Sequence, residues 1–109
     1  MDRIATFENM IAQGKDGQLV RFTLGKEYLA ADQPVDAVLH LEKCIEFDPQ
    51  YSAAWNALGK AYQAAGRLAD ALKAWDQGIA VAQAKGDKQA EREMAVFKRR
   101  VEKLLQPDD

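Results

Sequence analysis

His40 and Cys44 stand four residues apart, a spacing that puts an imidazole and a thiol on one face of a helix. Together they could grip a metal ion or act as nucleophile and base. Neither chemistry closes. A zinc site takes three or four ligands, and the chain has one histidine and one cysteine in all. Gly14-Lys15-Asp16-Gly17 has the flavour of a phosphate loop but is too short for one and follows no strand. Lys98, Arg99, Arg100 and Lys103 gather near the C-terminus, where cations favour a helix dipole, and Glu102 between them argues against a phosphate-tracking patch. No catalytic residue, metal ligand or cofactor is therefore assigned, and no enzyme is expected. Cys44 reads as a packed, inert thiol and His40 as a partly exposed surface residue.

The bulk properties point the same way. The 109 residues carry a formal charge of -2 with 29% charged side chains, an ordinary soluble surface without the basic bias of a nucleic-acid binder. No apolar run approaches the ~18 residues that span a bilayer. Glu8 and Asn9 interrupt the only apolar stretch that could serve as a secretory signal. No nucleic acid and no membrane are expected as partners, and the cytoplasm is the expected location. A chain of this length buries roughly two thirds of its unfolded surface, enough for one unstapled domain.

The organising element is Ser52 to Trp75, two short amphipathic segments joined at Gly66. It has a copy upstream. Shifting the sequence by 34 residues lays Leu24 on Leu58, Gly25 on Gly59, Tyr28 on Tyr62 and Ala37 on Ala71, a fixed period that predicts an all-α stack of helix pairs. Gly59 is expected to let the paired helix approach closely, with Ala71 as the small residue facing it and Trp55, Tyr62 and Trp75 filling the core beside that contact. Gly66 suits a helix end that turns through a positive φ; Asp32 does the same job in the first copy under some strain.

In the order and spacing of Trp55, Leu58, Gly59, Tyr62, Gly66 and Ala71, the chain resembles the tetratricopeptide repeat family, with Trp75 at its second large aromatic position. The first copy keeps Leu24, Gly25, Tyr28, Ala37 and Pro49 but has Arg21 at the Trp position, Asp32 at the turn Gly and Leu41 at the second aromatic. The second copy has Gln83 where the family's closing Pro would stand and Gly78 at a small-residue position. The chain as a whole looks like one of the short stand-alone bacterial members. The resemblance implies an α-α superhelix of antiparallel pairs, about six helices in one domain.

Its expected parts are a half-repeat helix over 2–13, repeats over 18–51 and 52–85, and a capping helix over 87–105. In the half-repeat, Ile4, Phe7 and Ile11 form the expected buried stripe, each falling 34 residues before Val38, Leu41 and Ile45. Asp32-Gln33-Pro34 makes a turn with Pro at the first position of the next helix, Ser52 is the expected N-cap of the fourth helix and Asp87 that of the sixth. In the last helix, Ala90, Met94, Phe97, Val101, Leu104 and Leu105 form the expected apolar stripe, and Pro107-Asp108-Asp109 a frayed end.

The same resemblance implies a concave groove lined by Leu19, Phe22, Thr23, Lys26, Leu29 and Ala30 on the first helix of repeat 1, and by Ala53, Asn56, Ala57, Lys60, Gln63 and Ala64 on that of repeat 2. The expected function is a non-catalytic adaptor that takes a peptide or helix of another protein there. Phe22, Lys26, Leu29, Asn56, Lys60 and Gln63 are the candidate contacts, offering an acidic or C-terminal carboxylate peptide two cations, amide donors and an apolar rest. Against this stands the plainer account of two solvated lysines on helix surfaces. A structural homodimer, or an accessory subunit of a larger complex, is the alternative role, so the expected state is a monomer or weak homodimer.

Overall fold

The computed structural model describes residues 2–106. It contains six helices, α1 (Arg3–Ala12), α2 (Gln18–Ala30), α3 (Pro34–Phe47), α4 (Ser52–Ala64), α5 (Leu68–Lys85) and α6 (Lys88–Leu105), and no strand among the described residues. Each helix packs on the next in sequence, while α2 touches α4 and α4 touches α6 across the stack. The result is an elongated body of 52 × 31 × 18 Å, as an all-α superhelix of pairs requires.

Local chemistry sets the boundaries. Asp2 caps α1 by accepting from the Ile4 N–H at 3.0 Å, and Asp87 caps α6 by accepting from the Ala90 N–H at 3.1 Å. Pro34 opens α3, where a missing N–H leaves nothing unsatisfied. Gly66 turns at φ 78°, and Asp32 holds the matching place at φ 59°, a left-handed conformation that costs a non-glycine residue about 1 kcal/mol. Ser52 is not the cap of α4 but its first helical residue; the preceding Tyr51 is extended and puts its ring 4.8 Å from that of Phe22 instead. Pro107, Asp108 and Asp109 lie outside the described residues.

The core runs along the middle of the stack. Leu24, Ala37, Leu41, Ala54, Ala61, Ala71, Trp75, Met94 and Val101 are fully enclosed, Leu58 and Tyr62 nearly so, and Gly25 and Gly59 are buried between them. The residue facing Gly59 is Trp75, not Ala71 as the sequence suggested: a Cβ on Gly59 would strike the indole's pyrrole edge. Gly25 faces Leu41 in the same manner. The glycine thus makes room for a large side chain on the partner helix, and Ala71 is buried one turn away. Tyr28 and Trp55 are half-buried; the Trp55 indole N–H donates to the Pro49 carbonyl at 2.8 Å, which ties the start of α4 to the loop before it.

At its two ends the stack is thinner than the apolar patterns suggested. No residue of α1 is fully buried, and Ile4, Phe7 and Ile11 are only half-covered because α2 closes one side of that helix. On α6, Met94 and Val101 are enclosed, but Leu104 and Leu105 stay exposed.

His40 is the other departure. It is buried at 6% exposure, not partly exposed, because the ring is enclosed by polar partners that a helical pattern cannot reveal. Arg21 Nη1 donates to its Nδ1 at 3.0 Å, which fixes the proton on Nε2, and Nε2 in turn donates to Glu8 Oε1 at 3.1 Å. Tyr28 stacks on the imidazole at 5.3 Å between centroids and donates its hydroxyl to the same Glu8 oxygen at 2.8 Å. Arg21 also clasps Asp16 with two bonds of 2.7 Å. Arg21, the residue in place of the family's tryptophan, therefore knits α2 to α3 and to the α1–α2 loop, and Glu8 holds α1 to both helices.

Two outcomes follow. Gly59→Ala should destabilise the fold by about 1 to 3 kcal/mol in urea titration, although the same change in an open helix stabilises by about 1 kcal/mol. Gly25→Ala should cost less, because Leu41 can rotate where an indole cannot. The second outcome concerns pH. Burial, with Arg21 adding to it, holds the His40 imidazole below its ordinary value of 6.5 despite Glu8 and Asp36 pulling the other way. The unfolded chain then takes up a proton that the native fold refuses, so stability should fall as pH drops through 6.5 and level off once native His40 itself protonates. His40→Gln should flatten the urea midpoint between about pH 7.5 and 5.5. Asp16 titrates outside that window, since its hydrogen bonds from Arg21 hold it below 3.8.

Candidate functional site

Because α2 and α4 repeat one another in phase, residues at matching places on them face a common groove. Phe22, Lys26 and Leu29 from α2 and Ala53, Asn56, Ala57 and Lys60 from α4 line it, and Glu93 of α6 closes one end. The cavity holds about 370 Å³, within the range of small-ligand pockets and sized for a few side chains of a peptide. Five of the six candidate contacts thus share one groove; Gln63, half-buried on the last turn of α4, does not line it.

The lysines are held in an unusual way. Lys26 Nζ lies 5.1 Å from the centroid of the Phe22 ring, and Lys60 Nζ lies 4.7 Å from that of Phe97. Neither ammonium is within ion-pair distance of a carboxylate among the described residues. Each ring supports its cation by cation–π attraction without taking up an N–H donor in a hydrogen bond.

Asn56 has a second duty. Its Oδ1 accepts from the Trp75 indole N–H at 3.0 Å, satisfying the one polar atom of the buried ring. The amide is thereby oriented by the core, and its two N–H donors remain for a ligand.

Sequence reasoning missed Glu93 and Phe97. Phe97 read as apolar stripe and Glu93 was given no place in the groove, since the resemblance supplies groove positions on the two repeats and α6 lies outside them. A signal did exist in the order of elements: a helix after α5 must flank α4 in such a stack, and α6 does.

The pair His40 and Cys44 plays no part in the groove. Cys44 is fully enclosed, and burial pushes its thiol up to about 11, so it carries no thiolate at neutral pH. Among the described residues no three His, Cys, Asp or Glu side chains are placed to hold a metal, and no helix is long and apolar enough to cross a membrane.

Comparison with known proteins bears on this architecture. A family model described as tetratricopeptide repeat matches residues 40–73. A TPR repeat-containing protein of Pseudomonas aeruginosa is 54% identical over 100 residues, covering 92% of this chain and 95% of that protein. The solution structure of a Bordetella parapertussis protein superposes with a TM-score of 0.82 at 45% identity, over 94% of this chain and 90% of that one. A tetratricopeptide repeat domain protein of Salinibacter ruber gives a TM-score of 0.76 at 30% identity, over 86% and 95% of the two chains. With the 34-residue period, the glycine contacts and the paired helices in agreement, this chain belongs to the tetratricopeptide repeat family.

Proposed function

We propose that the chain is a non-catalytic interaction module that holds a peptide or helix of another protein in the groove across α2 and α4. Proteins of this family generally bind other proteins, and the groove's residues suggest what kind of segment this one takes. The observation that carries the reading is the pair of ammonium groups, each set over an aromatic ring and neither neutralised by a carboxylate. Lys26, Lys60 and the amide of Asn56 form a donor strip for a carboxylate, either an acidic side chain or a free C-terminus. Phe22 and Leu29 give a neighbouring apolar side chain its rest, with Ala53 and Ala57 keeping the floor low. Glu93 at the end near α6 repels a second acid there, so the acid of the ligand sits between the two lysines and the chain beyond it is neutral or basic.

A fluorescein-labelled acidic pentapeptide with a free C-terminus and one leucine is the probe. Its anisotropy titration should show binding that weakens with added salt and weakens about tenfold for Lys26→Glu or for Lys60→Glu, a loss of roughly 1.4 kcal/mol each. Binding unchanged by both reversals and by amidation of every carboxylate would remove the proposal.

A further inference from the structure

A second cavity, larger than the groove just described, lies at the other end of α2. About 750 Å³ opens between α1 and the N-terminal half of α2, lined on one side by Arg3, Phe7 and Met10 and on the other by Leu19, Val20 and Thr23. Its place in the stack follows from the 34-residue period. Phe7 falls on Leu41 and Trp75, which are fully enclosed because Gly25 of α2 and Gly59 of α4 lie against them. Phe7 itself is only half-covered. Likewise Glu8 accepts from Tyr28 as Glu42 accepts from Tyr62, so α1 sits on α2 as α3 sits on α4. Among the described residues nothing stands against α1 as α2 stands against α3.

We infer that this face is a second docking surface, which seats an acidic amphipathic helix of a partner protein, antiparallel to α1 and alongside α2. The two internal pairs supply its chemistry. Where Phe7 projects, the incoming helix needs a small residue, as Gly25 and Gly59 serve the side chains facing them. One turn earlier on α1 the seat departs from its templates: Arg3 stands where Ala37 and Ala71 are buried. A guanidinium in that position calls for a carboxylate on the occupant. The rim agrees in charge. Asp16, the acid among the lining residues, is already bound twice by Arg21, whereas Lys15 makes no ion pair among the described residues and Arg3, paired with Glu27 at 3.2 Å, leaves 70% of its side chain exposed. Leu19, 68% exposed at the lip, supplies the apolar flank.

The probe is a synthetic helix built from the chain's own template, residues 52–65 with Gln63→Glu, stapled between positions 60 and 64, which are exposed in the parent helix. The new carboxylate lies one turn after Gly59, and Arg3 lies one turn before Phe7 on the antiparallel helix, so the two charges meet at the same level of the pair. Titration into the whole 15N-labelled protein should shift the amide resonances of Phe7, Met10, Leu19 and Thr23. Affinity should drop about tenfold for Phe7→Glu and for Leu19→Glu, the latter an exposed site that leaves folding intact. Gly59→Leu in the peptide should weaken it as much, and the parent peptide with Gln63 should bind severalfold more weakly. Lys60→Glu in the protein should change nothing, which separates this surface from the groove across α2 and α4. Shifts confined to that groove, equal binding of the Gly59→Leu peptide, equal binding to an Arg3→Glu protein, or a stable homodimer through this face in light scattering would each overturn the inference.

Discussion

The structure depends on close approaches in which a helix without a side chain meets a large one, and two of them recur with the repeat. Gly59 lies under the indole of Trp75, and Gly25 under Leu41. Enclosing the indole removes on the order of 150 to 250 Å² from water, worth about 4 to 6 kcal/mol, which only a bare Cα opposite can permit. The contact then propagates. The buried indole N–H must find an acceptor, and it finds Asn56 Oδ1, which fixes a groove side chain from behind. The other side of the ring stacks at 5.8 Å on Phe97, and Phe97 carries Lys60. Asn56 and Lys60, two of the groove's donors, therefore inherit their positions from one glycine in the core.

A second periodic device joins the pairs to one another. Glu8, Glu42 and Asp76 occupy one column of the 34-residue period on α1, α3 and α5. Each reaches the first helix of the following pair: Glu8 takes the Tyr28 hydroxyl, Glu42 the Tyr62 hydroxyl, and Asp76 the Lys98 ammonium at 2.6 Å. Apolar packing is indifferent to small slides between helices, whereas a hydroxyl-to-carboxylate bond has a length and a direction. These bonds favour one register of the stack. The raised Tyr28 hydroxyl, pushed up to about 12 by burial and by its bond to Glu8, belongs to the same account: it stays a donor at any physiological pH.

Much of this was legible in the sequence, and the limits have physical causes. The repeat period revealed the helix pairs and the glycines, because those features recur and a recurring residue is constrained in both copies; the groove face followed from the family resemblance. Leu24 and Leu58, or Lys26 and Lys60, identify one another. What the period could not show is anything made once. Arg21 breaks the column in which Trp55 stands, and its guanidinium enters a network with Asp16, His40 and Glu8 that spans three helices; residues four apart on one helix gave no hint that His40 would be buried among them. Likewise α6 leaves the comb, so Glu93 and Phe97 had no counterpart to mark them. The facing partner of Gly59 was misplaced by one turn, since a pattern on one helix gives the face and not the depth to which its neighbour's side chain reaches.

In the function proposed above, the way the two lysines are held suits the groove to exchangeable binding. A lysine paired with an internal carboxylate must release that partner before it can accept another, and the two attractions largely cancel. Set over Phe22 or Phe97, the ammonium is attracted by a ring face that occupies one side only, at about 0.5 to 1 kcal/mol for an exposed pair. Its rotamer is narrowed in advance and its donors stay open, so an incoming carboxylate adds to the aromatic contact instead of displacing it. The two pedestals stand on α2 and α6, so the spacing between the lysines is set by how both helices pack on α4, and in the proposed binding mode that spacing measures an acid and its neighbouring residue together. In that proposal, discrimination comes from where the core puts Phe22 and Phe97, more than from the charge of the lysines themselves.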